Sequence, residues 1–402
     1  MTDAFRSPGA RTRYLAVSAA TLLLFTTGAC LSYLSKVLAT VGFDPARTGL
    51  LVASGAIPVV LCSLLAGKLM ARLSARAVVA IGIGMVALGY GSLAWTGQSQ
   101  MAAAPYISLA VMIGGMGLYM PAAFLLVRSC IEPARMMQFV GIYGAMQLLP
   151  SIFGPMWAQQ VFLAYGFRNY FLITAVPAAA ALLMLFVGRQ GPAPVAPAPS
   201  GASGGVASYS QLLLRPKVAL PCLGGLTAGS LFGAVNIFVA LLLLSEGTPI
   251  HFFFVPFVSA YLITRFLVLK LFERSNRSVV VGTGIAMMAA GVAILWAVGA
   301  GPLASVAAAV LFGCGFSINY PVASVWISEL FPPEGRAKPV ALFNAIYTFG
   351  MYASPLLTGI LLAAGGAAAF YACVVGAGAA AAALLLGFRA LATVDAKQQL
   401  GQ

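Results

Sequence analysis

The sequence predicts an all-α membrane protein that crosses the bilayer many times. Of its 402 residues, 61% are hydrophobic and 7% are charged, and the mean hydropathy is +0.99. A soluble globular protein would have about a quarter of its residues charged. Apolar runs of about 20 residues, the length of a membrane-spanning helix, recur between short basic loops. Alternating segments of about ten residues, which are typical of a membrane barrel, are absent, so the spans are predicted to be helices.

Twelve apolar runs predict twelve spans. The first follows Arg6, Arg11 and Arg13 and has no small-residue cleavage site after a short apolar region, so we expect it to stay in the protein. In chain order the runs cover residues 14–38, 46–70, 77–96, 104–128, 136–162, 168–188, 217–244, 249–272, 278–298, 303–328, 337–363 and 367–390.

Positive charge is concentrated on one side of these spans. All but four of the 22 Lys and Arg residues fall in the tails, in alternate loops and at their span ends; the exceptions are Lys36, Arg47, Arg168 and Arg265. The positive-inside rule then places both termini in the cytoplasm and requires an even number of spans. We expect the protein to lie in the inner (cytoplasmic) membrane of the cell. The positive charge is expected to face the lipid bilayer surface and not to bind nucleic acid.

Neither a metal site nor an enzyme active site is visible in the sequence. The six cysteines are scattered singly through apolar runs, and the single histidine, His251, is interpreted as an interfacial residue or a proton sensor. There is no compact Ser/His/Asp set and no Gly-rich phosphate loop. We therefore expect no metal, no cofactor and no enzymatic activity.

The chain divides into two halves at a segment rich in Pro, Gly, Ser and Ala after Gly191. Such a composition is typical of a flexible linker. The predicted organisation is a cytoplasmic tail, a six-helix half, a flexible cytoplasmic linker with a short helix, a second six-helix half and a second cytoplasmic tail, at residues 1–13, 14–188, 189–216, 217–390 and 391–402.

The two halves repeat each other at an offset close to 200 residues. The offset holds over six features and predicts two parallel six-helix repeats. The clearest matches are Pro58 with Pro256, Tyr119-Met-Pro121 with Asn319-Tyr320-Pro321, and Gly154-Pro155 with Ser354-Pro355.

Two six-span repeats with a central linker resemble the major facilitator superfamily of secondary transporters. In that family the loop after span two carries Gly-x-x-x-Asp-Arg-x-Gly-Arg-Arg. Here the stretch from Gly67 to Arg76 keeps the first glycine and arginines, while Ala71 and Ser74 replace the aspartate and the second glycine. The second copy keeps an acid, so the resemblance implies a stronger cytoplasmic latch there. The expected gating and latch residues are Gly67, Arg72, Arg76, Arg135, Glu273, Arg274, Arg277 and Arg336.

The same resemblance implies a substrate site at mid-membrane between the halves, in a carrier that we expect to be a monomer. Polar residues near the middle of the spans that line this site in the family are the candidates. They are Tyr33, Lys36, Tyr119, Gln147, Asn236, Tyr261, Arg265, Asn319, Tyr320 and Tyr347.

Among these candidates, Arg265 most requires an explanation, because it is a charged residue within an apolar span. A charge at membrane depth costs at least about 2.5–3.5 kcal/mol on insertion scales. No acid lies near the middle of a span, whereas the planar guanidinium fits a substrate carboxylate. Tyr261 lies one helical turn earlier and can face the same way. The alternative for Arg265 is a gating or packing role. Lys36 either attracts the anion or extends its side chain to the membrane interface, as lysines near span ends usually do.

The position of Arg265, eight residues before Glu273, resembles the oxalate and monocarboxylate branch of the superfamily. The predicted function is secondary transport of a small organic anion of the carboxylate type, by proton symport or exchange and alternating access. The alternatives are an efflux carrier for neutral or lipophilic compounds, with Arg265 as a gate, and a membrane scaffold or sensor that does not transport.

Overall fold

A computed structural model shows an all-α protein throughout the part of the chain that it describes. Apart from an isolated bridge between Phe5 and Ile131, the described residues hold no extended pairing. They are residue 5 and residues 8–97, 103–132, 135–187, 209–213, 215–268, 275–331 and 336–400.

The chain forms two compact units. The first consists of Met1–Asp44 with Leu50–Ser203, and the second of Pro45–Gly49 with Gly204–Gln402. The helices before the central segment are α1 (Pro8–Ala29), which continues through a 3-10 turn (Cys30–Tyr33), then α2 (Leu34–Ala39), α3 (Pro45–Ala53), α4 (Ala56–Arg72), α5 (Ala75–Thr96), α6 (Ala104–Cys130), α7 (Met136–Leu148) and α8 (Pro150–Val187).

The second unit has the same kind of helix order. Its helices are α9 (Tyr209–Leu213), α10 (Pro216–Ser245), α11 (His251–Ile263) with a π turn (Thr264–Val268), α12 (Arg277–Val298), α13 (Pro302–Glu329) and α14 (Ala337–Leu400).

Helix packing follows the same scheme in each unit. In the first, α1 packs on α8, α6 packs on α4 and α5, and α5 packs on α8. In the second, α10 packs on α14, α13 packs on α11 and α12, and α12 packs on α14. Every one of these pairs has its counterpart about 200 residues later, so each unit buries its apolar faces in the same way.

Equivalent glycines allow equivalent close helix contacts. A Cβ added at Gly82 would lie 2.8 Å from the Gly115 carbonyl oxygen on α6. One added at Gly284 would lie 3.0 Å from the Gly315 carbonyl oxygen on α13. These distances are too short for a side chain, so the α5–α6 and α12–α13 pairs both depend on glycine at this position.

Two long helical segments bend at glycines with the same offset. Gly166 in α8 has φ 74° and Gly366 in α14 has φ 67°, a conformation open to glycine because it has no Cβ. The two glycines lie in the gaps predicted between spans five and six and between spans eleven and twelve. Each bend changes the direction of the helical segment without the need for a longer loop.

The helices are those of a protein that crosses a membrane several times. Among the described residues, nine helices are long and apolar enough to span a bilayer, and two of them contain the bends at Gly166 and Gly366. A shorter apolar helix covers His251–Phe266. The count of twelve spans and the cytoplasmic position of the termini stay predictions.

The domain boundaries also stay predictions, although two helices bear on them. Helix α9 lies within the segment predicted as a linker with a short helix, most of which lies outside the described residues. Helix α14 continues to Leu400, through most of the segment predicted as the second tail. The alanines and leucines that precede Leu400 have high helix propensity, which accounts for the longer helix.

Candidate functional site

A π turn interrupts the helical segment that carries Arg265. Helix α11 ends at Ile263 and the chain continues as a π turn over Thr264–Val268. The Thr264 hydroxyl donates to the sulfur of Cys314 on α13, 3.2 Å away, which ties the turn to its neighbour. Single π turns inside helices are frequent at functional sites. Arg265 is the second residue of this turn and is half-buried.

The guanidinium of Arg265 lies against tyrosines. Its central carbon is 6.0 Å from the ring centroid of Tyr261, within the range of a cation–π contact. Its charge also acts on the phenol of Tyr320 on α13. Across the described ranges, no carboxylate forms an ion pair with Arg265. The charge therefore has aromatic and phenolic neighbours in place of an acid.

Hydrogen bonds fix the tyrosines around Arg265. The Tyr320 hydroxyl donates to Oδ1 of Asn344 on α14 at 3.0 Å, and its ring centroid lies 4.9 Å from that of Tyr347. The Ser317 hydroxyl donates to the Tyr261 carbonyl oxygen at 2.9 Å, which joins α13 to α11. We call the following residues the arginine cluster: Tyr261, Arg265, Tyr320, Asn344 and Tyr347.

The arginine cluster presents hydrogen-bond donors around a single positive charge. A guanidinium has five N–H donors and no acceptor, and each phenol has one donor. Because the oxygen of Asn344 accepts from Tyr320, its amide N–H groups stay available to another partner. An ionised carboxylate only accepts hydrogen bonds, and it matches the planar fork of arginine. The cluster is thus chemically suited to a carboxylate.

A neutral cluster occupies the first unit. The hydroxyls of Thr21 and Tyr119 are 2.6 Å apart, and Thr21 also donates to the Val17 carbonyl oxygen at 2.7 Å. The buried Tyr143 phenol lies near both of these hydroxyls, and its own oxygen has no hydrogen-bond partner among the described residues. The Gln147 amide donates weakly to the sulfur of Met120 at 3.9 Å. We call Thr21, Tyr119 and Tyr143 the hydroxyl cluster.

The remaining substrate candidates are described within their own units. Tyr33 is buried with its ring centroid 6.1 Å from that of Phe162, and Lys36 is half-buried in the last turn of α2. Asn236 is half-buried on α10. Asn319 is buried where α13 meets α12, and its amide donates to the Gly315 carbonyl oxygen at 2.9 Å. The structure therefore brings together three of the candidates with Arg265: Tyr261, Tyr320 and Tyr347.

An ion pair joins two helix ends in the second unit. The Arg277 guanidinium, at the start of α12, donates to both oxygens of Glu329 at the end of α13, at 3.0 and 3.2 Å. The sequence analysis expected Glu273 to supply the acid of this latch, but Glu273 and Arg274 lie outside the described residues. Glu329 directly follows the predicted run 303–328, so it is an acid at a span end.

Helix caps explain one departure from the family motif. Ser74, which stands in a glycine position, caps α5 by accepting from the Ala77 amide at 3.2 Å. Asn276 caps α12 in the same way, accepting from the Ser278 amide at 3.0 Å. Such a cap contributes about 0.5–2 kcal/mol. Helices α5 and α12, which occupy equivalent places in the two units, therefore begin at equivalent caps.

The other predicted latch residues lie at helix ends or in loops. Gly67 has open space around it, and Arg72 is exposed in the last turn of α4. Arg76 is half-buried in the first turn of α5, and Arg135 precedes α7. Arg336 donates to the Phe331 carbonyl oxygen at 2.9 Å. Their gating roles stay predictions.

Sequence reasoning missed an aromatic wall beside the arginine cluster. Phe316 on α13 has its ring centroid 5.8 Å from that of Tyr261, and it stacks on Phe232 of α10 at 4.4 Å with an angle of 11°. The signal that could have found it is the four-residue spacing of aromatic residues on α11 and α13. Within the described residues, no group of three or more His, Cys, Asp or Glu side chains could hold a metal ion.

Comparisons with known proteins agree with this architecture. The sequence profile of the Major Facilitator Superfamily matches residues 16–258 and 247–401. A comparison with curated protein sequences gives no significant match.

Solved transporters share the fold at low sequence identity. A mutant of the nucleoside transporter NupG has a TM-score of 0.71 and 18% identity, covering 93% of this chain and 99% of its own. A D-xylose-proton symporter has a TM-score of 0.71 and 17% identity over 93% and 96%. The human organic anion transporter MFSD10 has a TM-score of 0.68 and 15% identity over 94% and 100%.

At these identities the solved structures show the fold alone, and the oxalate and monocarboxylate branch stays a prediction. The family profile, in contrast, covers nearly the whole chain in two overlapping matches. The chain therefore belongs to the major facilitator superfamily, whose members are non-enzymatic, multi-pass membrane carriers of small molecules.

Proposed function

We propose that this carrier moves a small organic anion whose carboxylate binds Arg265, by proton symport or exchange. The observation that carries the proposal is a guanidinium within an apolar helical segment that lies against the Tyr261 ring and acts on the Tyr320 phenol. In the described ranges no carboxylate is paired with it. A charge at membrane depth needs a polar partner, because its insertion costs about 2.5–3.5 kcal/mol or more. A substrate carboxylate is that partner.

Two of the protein's own acids are engaged by other partners. Glu329 pairs with Arg277, and Glu246 accepts from the Ala300 amide at 2.6 Å. The sequence places all eight acids in tails, loops or span ends, at Asp3, Asp44, Glu132, Glu246, Glu273, Glu329, Glu334 and Asp395. A cationic substrate would thus find no compensating charge at mid-membrane.

Binding of the anion would also drive the transport cycle. An unpaired guanidinium opposes closure around itself, because closure removes it from water. A bound carboxylate neutralises that charge and lowers the cost of closing. Exchange of one bound carboxylate for another needs no protonatable group on the protein. In symport the proton has to be carried by a group other than the carboxyl that pairs with Arg265, because a protonated carboxyl would no longer neutralise the guanidinium. In the proposed cycle the two halves rock about a central site, as in alternating access.

Counterflow in proteoliposomes tests the proposal without assuming import or export. Vesicles loaded with an unlabelled carboxylate are diluted into the labelled compound, for a panel of mono- and dicarboxylates, and an imposed proton gradient then tests symport. We expect counterflow by the wild type and by Lys36→Gln, and its loss in Arg265→Gln. Equal counterflow by wild type and Arg265→Gln would overturn the role of Arg265.

The same vesicles separate the alternative function. An efflux carrier for neutral or lipophilic compounds is favoured by the partly exposed methionine and aromatic side chains Met120, Phe232 and Tyr347. Such a carrier would exchange neutral dyes in both variants and no carboxylate in either. That result would leave Arg265 as a gate.

A further inference from the structure

Helix α11 carries an aromatic stripe that ends on the charge of Arg265. Phe253, Phe257, Tyr261 and Arg265 follow each other at four-residue spacing, which places them on one face of the helical segment. The ring centroids of Phe253 and Phe257 are 6.1 Å apart, and the Arg265 carbon lies 6.0 Å from the Tyr261 ring. The face therefore changes from purely apolar to charged along its length.

A second stripe on α13 lies beside the first. Phe312, Phe316 and Tyr320 also follow at four-residue spacing. Phe257 has ring centroids 5.8 Å from Phe312 and 6.1 Å from Phe316, and Tyr261 is 5.8 Å from Phe316. The rings of the two stripes lie side by side along their length. Their polar residues, Tyr261 and Tyr320, therefore lie at the same end as Arg265.

Phe232 of α10 completes an aromatic wall next to the charge. It is stacked on Phe316, with centroids 4.4 Å apart, and it is only partly buried. Phe316 in turn contacts Tyr261, which contacts Arg265. A ligand held at Arg265 would thus reach this stacked, partly accessible aromatic surface past the ring of Tyr261, which lies 6.0 Å from the guanidinium carbon and 5.8 Å from the Phe316 ring.

Within the second unit, the balance of charge favours a ligand with one negative charge. Arg265 is the single basic residue in the arginine cluster, and the other basic side chains described in this unit lie at helix ends, such as Lys217, Arg277 and Lys338. A monoanion is neutralised by one guanidinium. The second charge of a dicarboxylate would be left without a partner and would carry a desolvation penalty.

We propose that the substrate is an aromatic monocarboxylate, with its carboxylate on Arg265 and its ring against Phe316 and Phe232. This inference rests on the proposed function and narrows it. An aromatic ring joined to the carboxylate by a short flexible chain can extend past Tyr261 towards Phe316. Contacts between aromatic rings favour an aryl group over a saturated ring of similar size by roughly two- to tenfold in affinity.

Competition for counterflow gives the test. The competitors are 3-phenylpropionate, 3-cyclohexylpropionate, propionate, phenylsuccinate and 3-phenylpropanol, which vary ring, size and charge one at a time. We expect 3-phenylpropionate to compete best, with the saturated analogue weaker by two- to tenfold and the small acid, the dianion and the alcohol each weaker by at least tenfold.

Leucine variants locate the ring. Phe232→Leu and Phe316→Leu keep apolar bulk and should remove the preference for the aryl over the cyclohexyl acid. Phe238→Leu is the matched control, because Phe238 is a buried phenylalanine of α10 that packs on Phe370 instead. It should keep the wild-type preference.

The outcomes separate this inference from the proposed function. If propionate or a dicarboxylate competes as well as 3-phenylpropionate in the wild type, and Arg265→Gln is inactive, the proposed function stands and the aromatic specificity is wrong. If no carboxylate competes, both are wrong. Because the wild-type ranking alone decides these cases, the test does not depend on the folding of any variant.

Discussion

The two repeats place different chemistry on equivalent helices. The arginine cluster of the second unit combines one positive charge with phenols. The hydroxyl cluster of the first unit is neutral, and its Thr21 and Tyr119 hydroxyls form a hydrogen bond with each other. With the helices aligned on Pro58 and Pro256, the positions that match the aromatic stripe of α11 are small or aliphatic. They are Gly55, Val59, Ser63 and Gly67.

This difference shows what a duplicated fold preserves. The packing contacts recur, as at Gly82 and Gly284, because they hold the helices together. The arginine cluster and the hydroxyl cluster differ, as expected under the proposed function if a single substrate presents different groups to each repeat. The account therefore assigns recognition of charge to the second unit and leaves the first with neutral hydrogen bonding.

The largest expected effect comes from removing the charge. Arg265→Gln should lower kcat/KM for a carboxylate by about 10- to 100-fold, because a hydrogen-bonded charge pair contributes about 1.5–3 kcal/mol. Gln147→Leu in the first unit should change it less than about threefold, since no charge is lost. Counterflow kinetics give both values. Losses of equal size in the two variants would remove the distinction between the units.

Alanine at the equivalent glycines should destabilise both units. Each substitution overpacks a close helix contact, which typically costs about 1–3 kcal/mol. At Gly284 the nearest atom is Nδ2 of Asn319 at 2.6 Å, whereas at Gly82 the nearest atoms are the backbone O of Gly115 and N of Tyr119, at 2.8 and 2.9 Å.

Adding Asn319→Ala should therefore recover part of the stability lost in Gly284→Ala. Adding Tyr119→Ala to Gly82→Ala should recover none, because the backbone stays in place. Thermal unfolding in detergent measures both pairs. Recovery in the first unit but not in the second would be opposite to this account.

Tyrosine-to-phenylalanine changes should affect different properties in the two units. Tyr119→Phe removes the 2.6 Å contact with Thr21 and should lower the free energy of unfolding by about 0.5–1.5 kcal/mol with KM unchanged. Tyr320→Phe removes a phenol on which the Arg265 charge acts, together with its hydrogen bond to Asn344, and should raise KM for the carboxylate. Thermal unfolding and counterflow on the same preparations test this, and a KM increase confined to Tyr119→Phe would contradict it.

The smallest effect should be that of the ion pair between Arg277 and Glu329. The two side chains are 24% and 48% exposed, so solvent screens their attraction. A double-mutant cycle with Arg277→Gln and Glu329→Gln should give a coupling energy of about 0.2–1 kcal/mol that falls with added salt. A coupling of several kcal/mol would instead mark this pair as a main stabilising contact.

The sequence was sufficient for features set by composition and spacing. Apolar runs identified a multi-pass helical protein, and the matched prolines and glycines led to the family. The contact of Arg265 with Tyr261 followed from a four-residue spacing. These features depend on local periodicity, which the sequence carries directly.

Features that depend on contacts between distant segments could not be predicted from the sequence. Asn319 packs at the α12–α13 contact, where Gly284 leaves room for its amide, and its role at the substrate site stays a prediction. Glu329 reaches Arg277 because α13 ends next to the start of α12, a proximity that no local pattern encodes. The same holds for the stacking of Phe232 on Phe316, since the two residues belong to different helices.

Direct binding to the purified carrier tests the central claim, that Arg265 binds a substrate carboxylate. Calorimetric titration of 3-phenylpropionate into wild type, Arg265→Lys and Arg265→Gln needs no assumption about direction or coupling. The account predicts saturable binding to the wild type, weaker binding to Arg265→Lys because an ammonium cannot bind the carboxylate bidentately, and none to Arg265→Gln. Equal affinities in all three proteins, with 3-phenylpropanol binding as well as the acid, would contradict it.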